Sequence, residues 1–269
     1  MAVAGLGLIG GSVARDLAAR GVRVLGHDRD RAAVDAALHD GVLAGALGDD
    51  LAGVEDADVL VLAVPVRAAV GVLERALPRL ASVRLVTDAG STKRAIVAAA
   101  DRLGIGGRFV GAHPLAGGHR SGWEASRTGL FAGAPVYLCP AAGASDEARR
   151  LARELWTMLG GVSVEIAADE HDRRLAWTSH LPQVVSTALA AALMRKGIAR
   201  AELGPGGRDV TRLAASSPEM WTGIALENAD ALVAALDAMG GELRALRDAI
   251  ASGDPDAIHA AFAATRGWS

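Results

Sequence analysis

The stretch that decides the fold is MAVAGLGLIGGSVARDLAARGVRVLGHD, Met1 to Asp28. It begins with an apolar run, continues with the pattern G-x-G-x-x-G at Gly5, Gly7 and Gly10, and ends with an amphipathic stretch and a second apolar run. Glycine is abundant in this chain, so the pattern alone would be weak. The order strand, glycine-rich turn, helix and strand is typical of the βαβ unit that binds a dinucleotide.

Each glycine of this pattern has a separate role in such a unit. Gly5 allows the tight turn, Gly7 lets the backbone approach a pyrophosphate, and Gly10 allows close packing of helix and strand. We expect the helix to begin near Ser12, with its free N–H groups and positive potential facing the phosphates. The predicted cofactor-binding residues are Gly5, Gly7, Leu8, Ile9, Gly10 and Asp28, together with Val64 and Pro65 of a later strand end.

Asp28 lies 21 residues after Gly7, at the end of the second strand. A carboxylate there can accept hydrogen bonds from both hydroxyls of an adenosine ribose and would repel a 2′-phosphate. NAD is therefore the predicted cofactor. Arg29 and Arg31 could instead balance a phosphate, so NADP stays open.

The first 168 residues alternate short apolar runs with amphipathic stretches, and the rest of the chain has helix signals only. The runs are MAVAG, VRVLGHD, ADVLVLAVP, VRLVTDAG, RFVGAHP, PVYLCP and VSVEIA. Strands alternating with helices predict an α/β fold with a Rossmann-type, doubly wound parallel sheet. We place this dinucleotide-binding domain at residues 1–168 and an all-helical substrate and dimerisation domain at residues 169–269.

The helical domain contains a long apolar seam. Ser217 with Pro218, and Asp254 with Pro255, are typical of helix starts. Between them, six apolar residues are spaced by three and four: Leu232, Leu236, Met239, Leu243, Leu246 and Ile250. Such a heptad seam favours a partner helix, so we predict a homodimer.

Composition excludes several classes of protein. The net charge of −3 over 269 residues, with scattered Lys and Arg, favours neither nucleic acid nor membrane as a partner. The single cysteine, Cys139, rules out an internal disulfide, and no grouping of His, Cys and carboxylates has metal-ligand spacing. The N-terminus resembles no secretion signal, and every apolar run is too short to span a bilayer, so we expect a cytoplasmic protein without a metal.

The residues that follow each strand are the candidates for chemistry, because ligands of open α/β sheets bind beyond the carboxyl ends of the strands. His113, after RFVGA, is a neutral imidazole that can accept the hydroxyl proton when an alcohol is oxidised by NAD. Ser91, after the neighbouring strand, could orient the imidazole or the substrate hydroxyl. Lys93, one of two lysines, is a second candidate or a solvated residue of a first helical turn.

Several segments together resemble the prephenate/arogenate dehydrogenase family of tyrosine biosynthesis. They are GLGLIGGS, DAGSTK, GAHPLAGGHRSG, SHLPQ and TRLAASSPEMW, in the family's order and spacing. The resemblance implies an oxidative decarboxylation: NAD takes a hydride from the carbinol carbon of a cyclohexadienyl ring, and the ring carboxylate leaves as CO2. Aromatisation drives the loss of CO2, so the resemblance implies no metal or second cofactor.

The resemblance also implies roles for individual residues. His113 matches the catalytic histidine of the family, and Ser91 matches the serine that supports it. Arg212 matches the arginine that holds the ring carboxylate, and His180 matches a histidine on the substrate side. Trp221 matches a tryptophan that approaches the site from the partner chain in the family's dimers.

Two departures from the family pattern concern substrate choice. Gly118 and His119 replace a polar or acidic pair near the substrate side chain, and Gly207 replaces an aromatic residue. We place His119 among the substrate-binding residues and prefer prephenate, with arogenate as the alternative. Two further alternatives are a β-hydroxyacid dehydrogenase or imine reductase that uses Lys93, and a non-enzymatic NAD sensor.

Overall fold

The sheet of the protein has eight strands within residues 1–118 and 120–267, which are the residues that a computed structural model of the chain describes. The strands are β1 (Ala2–Ala4), β2 (Leu25–His27), β3 (Gly45–Ala46), β4 (Val59–Leu62), β5 (Leu85–Asp88), β6 (Phe109–Pro114), β7 (Pro135–Pro140) and β8 (Val162–Glu165). Their order in the sheet is β3-β2-β1-β4-β5-β6-β7-β8, which confirms the doubly wound α/β architecture.

One pair of strands departs from the predicted parallel sheet. β6 and β7 are antiparallel, with His113 opposite Tyr137, whereas every other neighbouring pair in the described sheet is parallel. A parallel connection needs a crossover, usually a helix. Between β6 and β7, the residues that the structure describes form a short 3₁₀ turn at Trp123–Ala125 and no crossover helix, which fits the antiparallel direction of β7. The short strand β3 was also missed by the sequence pattern.

Helices cover both faces of the sheet. They are α1 (Leu8–Ala18), α2 (Arg31–His39), α3 (Val66–Ala76), α4 (Arg94–Arg102) and α5 (Asp146–Met158). Along β4, Val61 belongs to the apolar cluster that contains Val13 of α1 and Trp156 of α5, while Leu60 belongs to the cluster that contains Leu73 of α3. Burial on both faces explains why the strands read as continuous apolar runs.

The first helix begins earlier than predicted, at Leu8 rather than near Ser12. Gly7 is the last residue with an extended backbone, and the helix follows at once through Gly10 and Gly11. The first free N–H groups of α1 therefore lie directly at the glycine-rich turn.

The remaining helices are α6 (Ala168–Leu175), α7 (Leu181–Arg195), α8 (Pro205–Val210), α9 (Pro218–Glu227), α10 (Ala229–Ser252) and α11 (Pro255–Ala263). Ser217 precedes α9, and its hydroxyl accepts a hydrogen bond from the N–H of Met220. Asp254 caps α11 through the N–H of Asp256. No helix of the described residues is long and apolar enough to cross a membrane.

Contacts divide the chain at different places from the predicted boundary between residues 168 and 169. The sheet-bearing unit contains Met1–Arg174 and Ala215–Glu227, and the helical unit contains Leu175–Ala214 and the chain from Asn228 onward. Most of α6 therefore belongs with the sheet. The same holds for α9, where Gly223 lies against Val66 at the start of α3.

Candidate active site

The glycine-rich turn has the packing that a dinucleotide-binding turn requires. Gly5 has a φ of +95°, and a Cβ there would overlap the carbonyl oxygen of Ala63. A Cβ on Gly10 would overlap the carbonyl oxygen of Gly5, so helix and strand could not approach as closely. Around Gly7, by contrast, no described residue other than Gly7 and its chain neighbours has an atom within 4 Å of the position a Cβ would take. The turn is thus filled on the protein side and open at Gly7, where a pyrophosphate could approach the backbone.

Two neighbouring segments border this turn. Asp28 follows β2, and its carboxylate accepts hydrogen bonds from the N–H of Leu6 at 2.6 Å and of Asp30 at 2.9 Å. Val64 and Pro65 connect β4 to α3, and Val64 Cγ1 lies 3.1 Å from the Cβ position of Gly5. The structure therefore brings Asp28 and Val64 to the same turn as the predicted glycines, and Leu8 and Ile9 form the first turn of the helix beyond it.

The segment between β6 and β7 is fastened to α1. Ser12 Oγ accepts a hydrogen bond from the N–H of Arg127 at 3.0 Å, and the carboxylate of Asp16 accepts one from the N–H of Gly129. The guanidinium of Arg15 lies 4.0 Å from the ring centroid of Trp123. These contacts border a cavity of about 420 Å³ beside the first turn of α1, lined by Leu8, Gly118, Arg120, Glu124, Ala125, Ser126 and Arg127.

His113 lies near the carboxyl end of β6 and belongs to a line of three hydrogen-bonded side chains. Its Nδ1 is 2.9 Å from Nε2 of His171, and the two rings meet edge to face. Nδ1 of His171 is 2.7 Å from Oδ1 of Asp172. The ring of Tyr137, on the adjacent strand β7, lies 5.4 Å from the ring of His171, centroid to centroid, in a T-shaped contact. The imidazole of His113 is therefore held from α6 through a buried histidine and a buried carboxylate.

Asp172 also caps the start of α4. Its Oδ1 accepts a hydrogen bond from the N–H of Lys93 at 2.8 Å, and its Oδ2 accepts one from the N–H of Arg94 at 3.0 Å. Burial alone would raise the pKa of Asp172, but these bonds and the bond from His171 outweigh it and hold the pKa below the usual value. Burial lowers the pKa of His171, which keeps this ring neutral near pH 7.

A second buried pair fixes the backbone next to His113. The ammonium of Lys93 pairs with Oδ2 of Asp88 and donates to the carbonyl oxygen of Ala112 at 2.7 Å. Oδ1 of Asp88 accepts a hydrogen bond from the N–H of Ala112 at 3.1 Å. Lys93 is completely buried and is therefore not the solvated residue that the sequence allowed. Ser91 is half-buried two residues before it, at the same edge of the sheet.

In the helical unit, the predicted residues lie around a π-helical turn at Ala176–His180. Such turns occur frequently at functional sites. His180 is buried, and its Nδ1 accepts a hydrogen bond from Nδ2 of Asn228 at 3.1 Å. Gln183 of α7 donates to the carbonyl oxygen of Leu213 at 2.8 Å. This bond ties α7 to the 3₁₀ turn that carries the exposed Arg212.

Arg208 and Arg212 do not share one helix. Arg208 lies in α8, which ends at Val210, whereas Arg212 begins a separate 3₁₀ turn, Arg212–Ala215. Trp221 is half-buried on α9, within the sheet-bearing unit. His119 lies outside the described residues.

His171 and Asp172 were not predicted from the sequence. They stand in the polar segment HDRRLAWTSHLPQ, within the predicted helical domain of residues 169–269. A histidine followed by an aspartate has no local signature, and its partner His113 is 58 residues away in sequence. His171 and Asp172 do not stand out in their helix, because most residues of its sequence, ADEHDRRL, are ionisable.

Two models of known protein families match this chain. Residues 13–165 match the family model "Prephenate dehydrogenase, nucleotide-binding domain", and residues 167–264 match "Prephenate dehydrogenase, dimerization domain". The chain belongs to the prephenate dehydrogenase family. Membership confirms the resemblance drawn from the sequence and makes the chain an NAD(P)-dependent dehydrogenase.

Curated relatives of this family match over nearly the whole chain. The cyclohexadienyl dehydrogenase of Zymomonas mobilis is 37% identical over 270 residues, covering 95% of this chain and 90% of the relative. The prephenate dehydrogenase of Bacillus subtilis is 34% identical over 272 residues, covering 97% of this chain and 72% of the relative.

Solved structures of prephenate dehydrogenase family members share the fold. The Aquifex aeolicus prephenate dehydrogenase in complex with hydroxyphenyl propionate and NAD+ superposes with a TM-score of 0.90 at 29% identity, covering 98% of this chain and 95% of that chain. The Synechocystis arogenate dehydrogenase gives a TM-score of 0.85 at 32% identity, covering 99% and 97%. The family thus includes enzymes named for prephenate and for arogenate.

Proposed function

We propose that the protein catalyses the NAD-dependent oxidative decarboxylation of prephenate to 4-hydroxyphenylpyruvate in tyrosine biosynthesis, in the cytoplasm. The observation that carries the proposal is the position of His113, near a strand end of the dinucleotide-binding sheet, with its ring held by a buried histidine. The matched family and the named activities of the relatives support the choice of reaction.

The proposed chemistry needs one proton acceptor from the protein. NAD, when bound, supplies the hydride acceptor for the carbinol carbon. His113 takes the proton of the ring hydroxyl as the hydride leaves, and the electron pair of the breaking bond to the carboxylate completes the aromatic ring. His113 then returns its proton to the phenol oxygen, so the reaction releases CO2 and no net proton.

The open side of the glycine-rich turn fits NAD. Gly7 leaves room for the pyrophosphate, flanked by Gly5, Leu8, Ile9 and Gly10, and Asp28 offers carboxylate oxygens to the ribose hydroxyls. Val64 and Pro65 would border the cofactor from the next strand end. The charge of Asp28 disfavours a 2′-phosphate, which supports NAD over NADP.

The remaining site residues are proposed from the resemblance. Arg212 would hold the ring carboxylate, and Ser91 would support His113 at the substrate hydroxyl. His180, Trp221 and His119 would lie on the substrate side. A second copy of the chain is the proposed partner, because the matched helical family model is that of a dimerization domain.

Arogenate is the second candidate substrate, and its product would be tyrosine. Similarity to the cyclohexadienyl dehydrogenase of Zymomonas mobilis and to the Synechocystis arogenate dehydrogenase favours keeping it. The family match favours both substrates over the β-hydroxyacid dehydrogenase, imine reductase and sensor alternatives.

The decisive experiment measures NADH fluorescence with prephenate and with arogenate, each offered with NAD and with NADP. We expect turnover of prephenate with NAD. His113→Asn should lower kcat by roughly 10²–10⁴-fold while leaving NAD binding unchanged, because only the proton acceptor is lost. Absence of NADH formation with both substrates would contradict the proposed function, and a tenfold or greater preference for NADP would contradict the cofactor assignment.

A further inference from the structure

We propose that His171 and Asp172 are positioning residues that fix the tautomer of His113, so that its Nε2 carries the lone pair that accepts the substrate proton. The inference deepens the proposed function and rests on His113 as the proton acceptor in that reaction. His171 and Asp172 would account for the tautomer in which His113 acts as a base, and Nε2 would be its reacting nitrogen.

Asp172 is a hydrogen-bond acceptor toward each neighbour described above. Two backbone N–H groups at the start of α4, those of Lys93 and Arg94, point at its two oxygens. An ionised carboxylate accepts hydrogen bonds and donates none. The bond between Oδ1 of Asp172 and Nδ1 of His171 therefore has its hydrogen on His171.

The neutrality of His171 sets the direction of its hydrogen bond to His113. A neutral imidazole has one N–H and one lone pair. With the hydrogen on Nδ1, the Nε2 of His171 is an acceptor. The atom 2.9 Å away, Nδ1 of His113, must then donate. A neutral His113 with its hydrogen on Nδ1 has its lone pair on Nε2.

Neighbouring groups act on the charge of His171 in both directions. Asp172 and Asp88 favour its charged form, and Lys93 disfavours it. His113 adds a second ring that can be protonated, and the ring of Tyr137 makes a T-shaped contact with His171. Burial is the largest effect and favours the neutral ring, as the lowered pKa of His171 records.

The tautomer of His113 decides which of its two nitrogens can accept the substrate proton. A free neutral histidine prefers the tautomer with hydrogen on Nε2, which leaves the lone pair on the other nitrogen. His171 and Asp172 reverse this preference for His113. When His113 is protonated in the reaction, its Nδ1–H still donates to His171, and the carboxylate of Asp172 stands one residue further along the same line.

Further hydrogen bonds hold the three side chains of His113, His171 and Asp172 in place. Asp172 is bonded to the backbone of Lys93, and the side chain of Lys93 is bonded to the carbonyl oxygen of Ala112, the residue before His113. Both the ring and the backbone of His113 are thus fixed from the start of α4. A positioning role of this kind needs such a support, because a small displacement of the acceptor weakens proton transfer.

A spectroscopic measurement tests the tautomer without any substrate. In histidine-labelled protein, ¹⁵N chemical shifts of the imidazoles report which nitrogen carries hydrogen. We expect His113 to carry hydrogen on Nδ1 in the unaltered protein and to shift toward Nε2 in His171→Leu and Asp172→Asn. Finding hydrogen on Nε2 of His113 in the unaltered protein would overturn the inference.

Kinetics with prephenate and NAD provide the second test. His171→Leu should lower kcat by roughly 10²-fold or more, with a small change of KM for prephenate and unchanged NAD binding. His171→Gln should recover much of the loss, because its amide oxygen can accept the hydrogen of His113. Equal kcat in the unaltered protein and His171→Leu would overturn the inference, as would equal loss in the Gln and Leu variants with an unshifted tautomer.

Matched controls separate positioning from loss of a charge or of the fold. Asp169→Asn removes an exposed carboxylate from the same helix, one turn earlier, and His39→Gln removes an exposed histidine. Both should retain kcat. If the melting curve of Asp172→Asn shows that this variant does not fold, His171→Leu and His171→Gln test the positioning role without it. If the unaltered protein turns over neither prephenate nor arogenate, the proposed function fails, while the ¹⁵N measurement still decides the tautomer.

Discussion

The ammonium of Lys93 and the carboxylate of Asp88 form a fully buried ion pair beneath the carboxyl edge of the sheet. The pair holds the backbone of Ala112 through two hydrogen bonds. Asp88 accepts one from its N–H, and Lys93 donates one to its carbonyl oxygen. This arrangement gives a structural reason for Lys93 in a chain that has two lysines and 26 arginines. It also engages the amine that a lysine-dependent mechanism would need.

Lys93→Met should destabilise the protein by about 3–5 kcal/mol in urea unfolding, because it leaves the carboxylate of Asp88 buried without its partner. The double variant Asp88→Asn with Lys93→Met should lose less stability than the sum of the two single variants. Arg84→Met, which breaks the exposed pair with Glu147, is the matched control and should change stability little. Wild-type stability of Lys93→Met would contradict the structural role.

The fold could be predicted from the sequence wherever one local pattern determined one element. Buried parallel strands are apolar at every position, and the turn at Gly5 and Gly10 leaves no room for a side chain, so both leave a trace in the sequence. The direction of β7 leaves none, because an apolar strand reads the same in either orientation. Its antiparallel orientation fits the connection from β6, in which the described residues form no crossover helix.

The same distinction holds for the candidate site. His113 could be predicted because it follows a recognisable strand, and strand ends meet at one edge. His171 and Asp172 could not, because their role depends on where α6 packs against β6 and α4. The buried state of Lys93 was also not predictable, since a lysine in the first turn of a helix is usually solvated.

Two glycines of the turn should respond differently to alanine. Gly7→Ala should leave the free energy of unfolding unchanged but weaken NAD binding by roughly tenfold or more, because a Cβ there meets no protein atom and would occupy the space of the pyrophosphate. Gly10→Ala should cost about 1–3 kcal/mol of stability, since its Cβ overlaps the backbone of Gly5. Urea unfolding and NAD titration measure the two effects.

Gly71→Ala is the control for these substitutions. Gly71 lies within α3, where a Cβ would meet only the guanidinium of Arg75 at 3.7 Å. This variant should be slightly more stable than the unaltered protein, because alanine favours a helix over glycine. The turn would have a different role if Gly7→Ala bound NAD normally.

The stability of the protein should depend on pH through His171. Burial depresses its pKa in the folded state below the ordinary value of 6.5. The unfolded chain therefore binds a proton first as the pH falls, and stability present above pH 6.5 declines below it, by at most about 1.4 kcal/mol per pH unit. His171→Gln should lose less stability than the unaltered protein between pH 7 and about pH 5. This window lies above the ordinary value of 3.8 for Asp172, whose pKa is also depressed.

Urea unfolding at several pH values measures this difference. His39→Gln is the control, because the side chain of His39 is 90% exposed, and this variant should follow the pH dependence of the unaltered protein. Parallel curves for His171→Gln and the unaltered protein would show that His171 does not contribute.

The apolar face of α10 should mediate the proposed dimer. In the single chain, Leu232 of the predicted heptad seam is buried, whereas Leu243 and Ile250 are each 54% exposed on a helix that continues through Gly240 and Gly241. We expect Leu243→Glu and Ile250→Glu to shift the protein from dimer to monomer in sedimentation at micromolar concentration, because a partner helix would have to bury an unpaired carboxylate. Val162→Glu on β8 is the matched control, since Val162 is 57% exposed but lies on the sheet-bearing unit, and it should sediment as the unaltered protein does. A monomer before any substitution would refute the dimer itself, and dimers of both α10 variants would place the interface elsewhere.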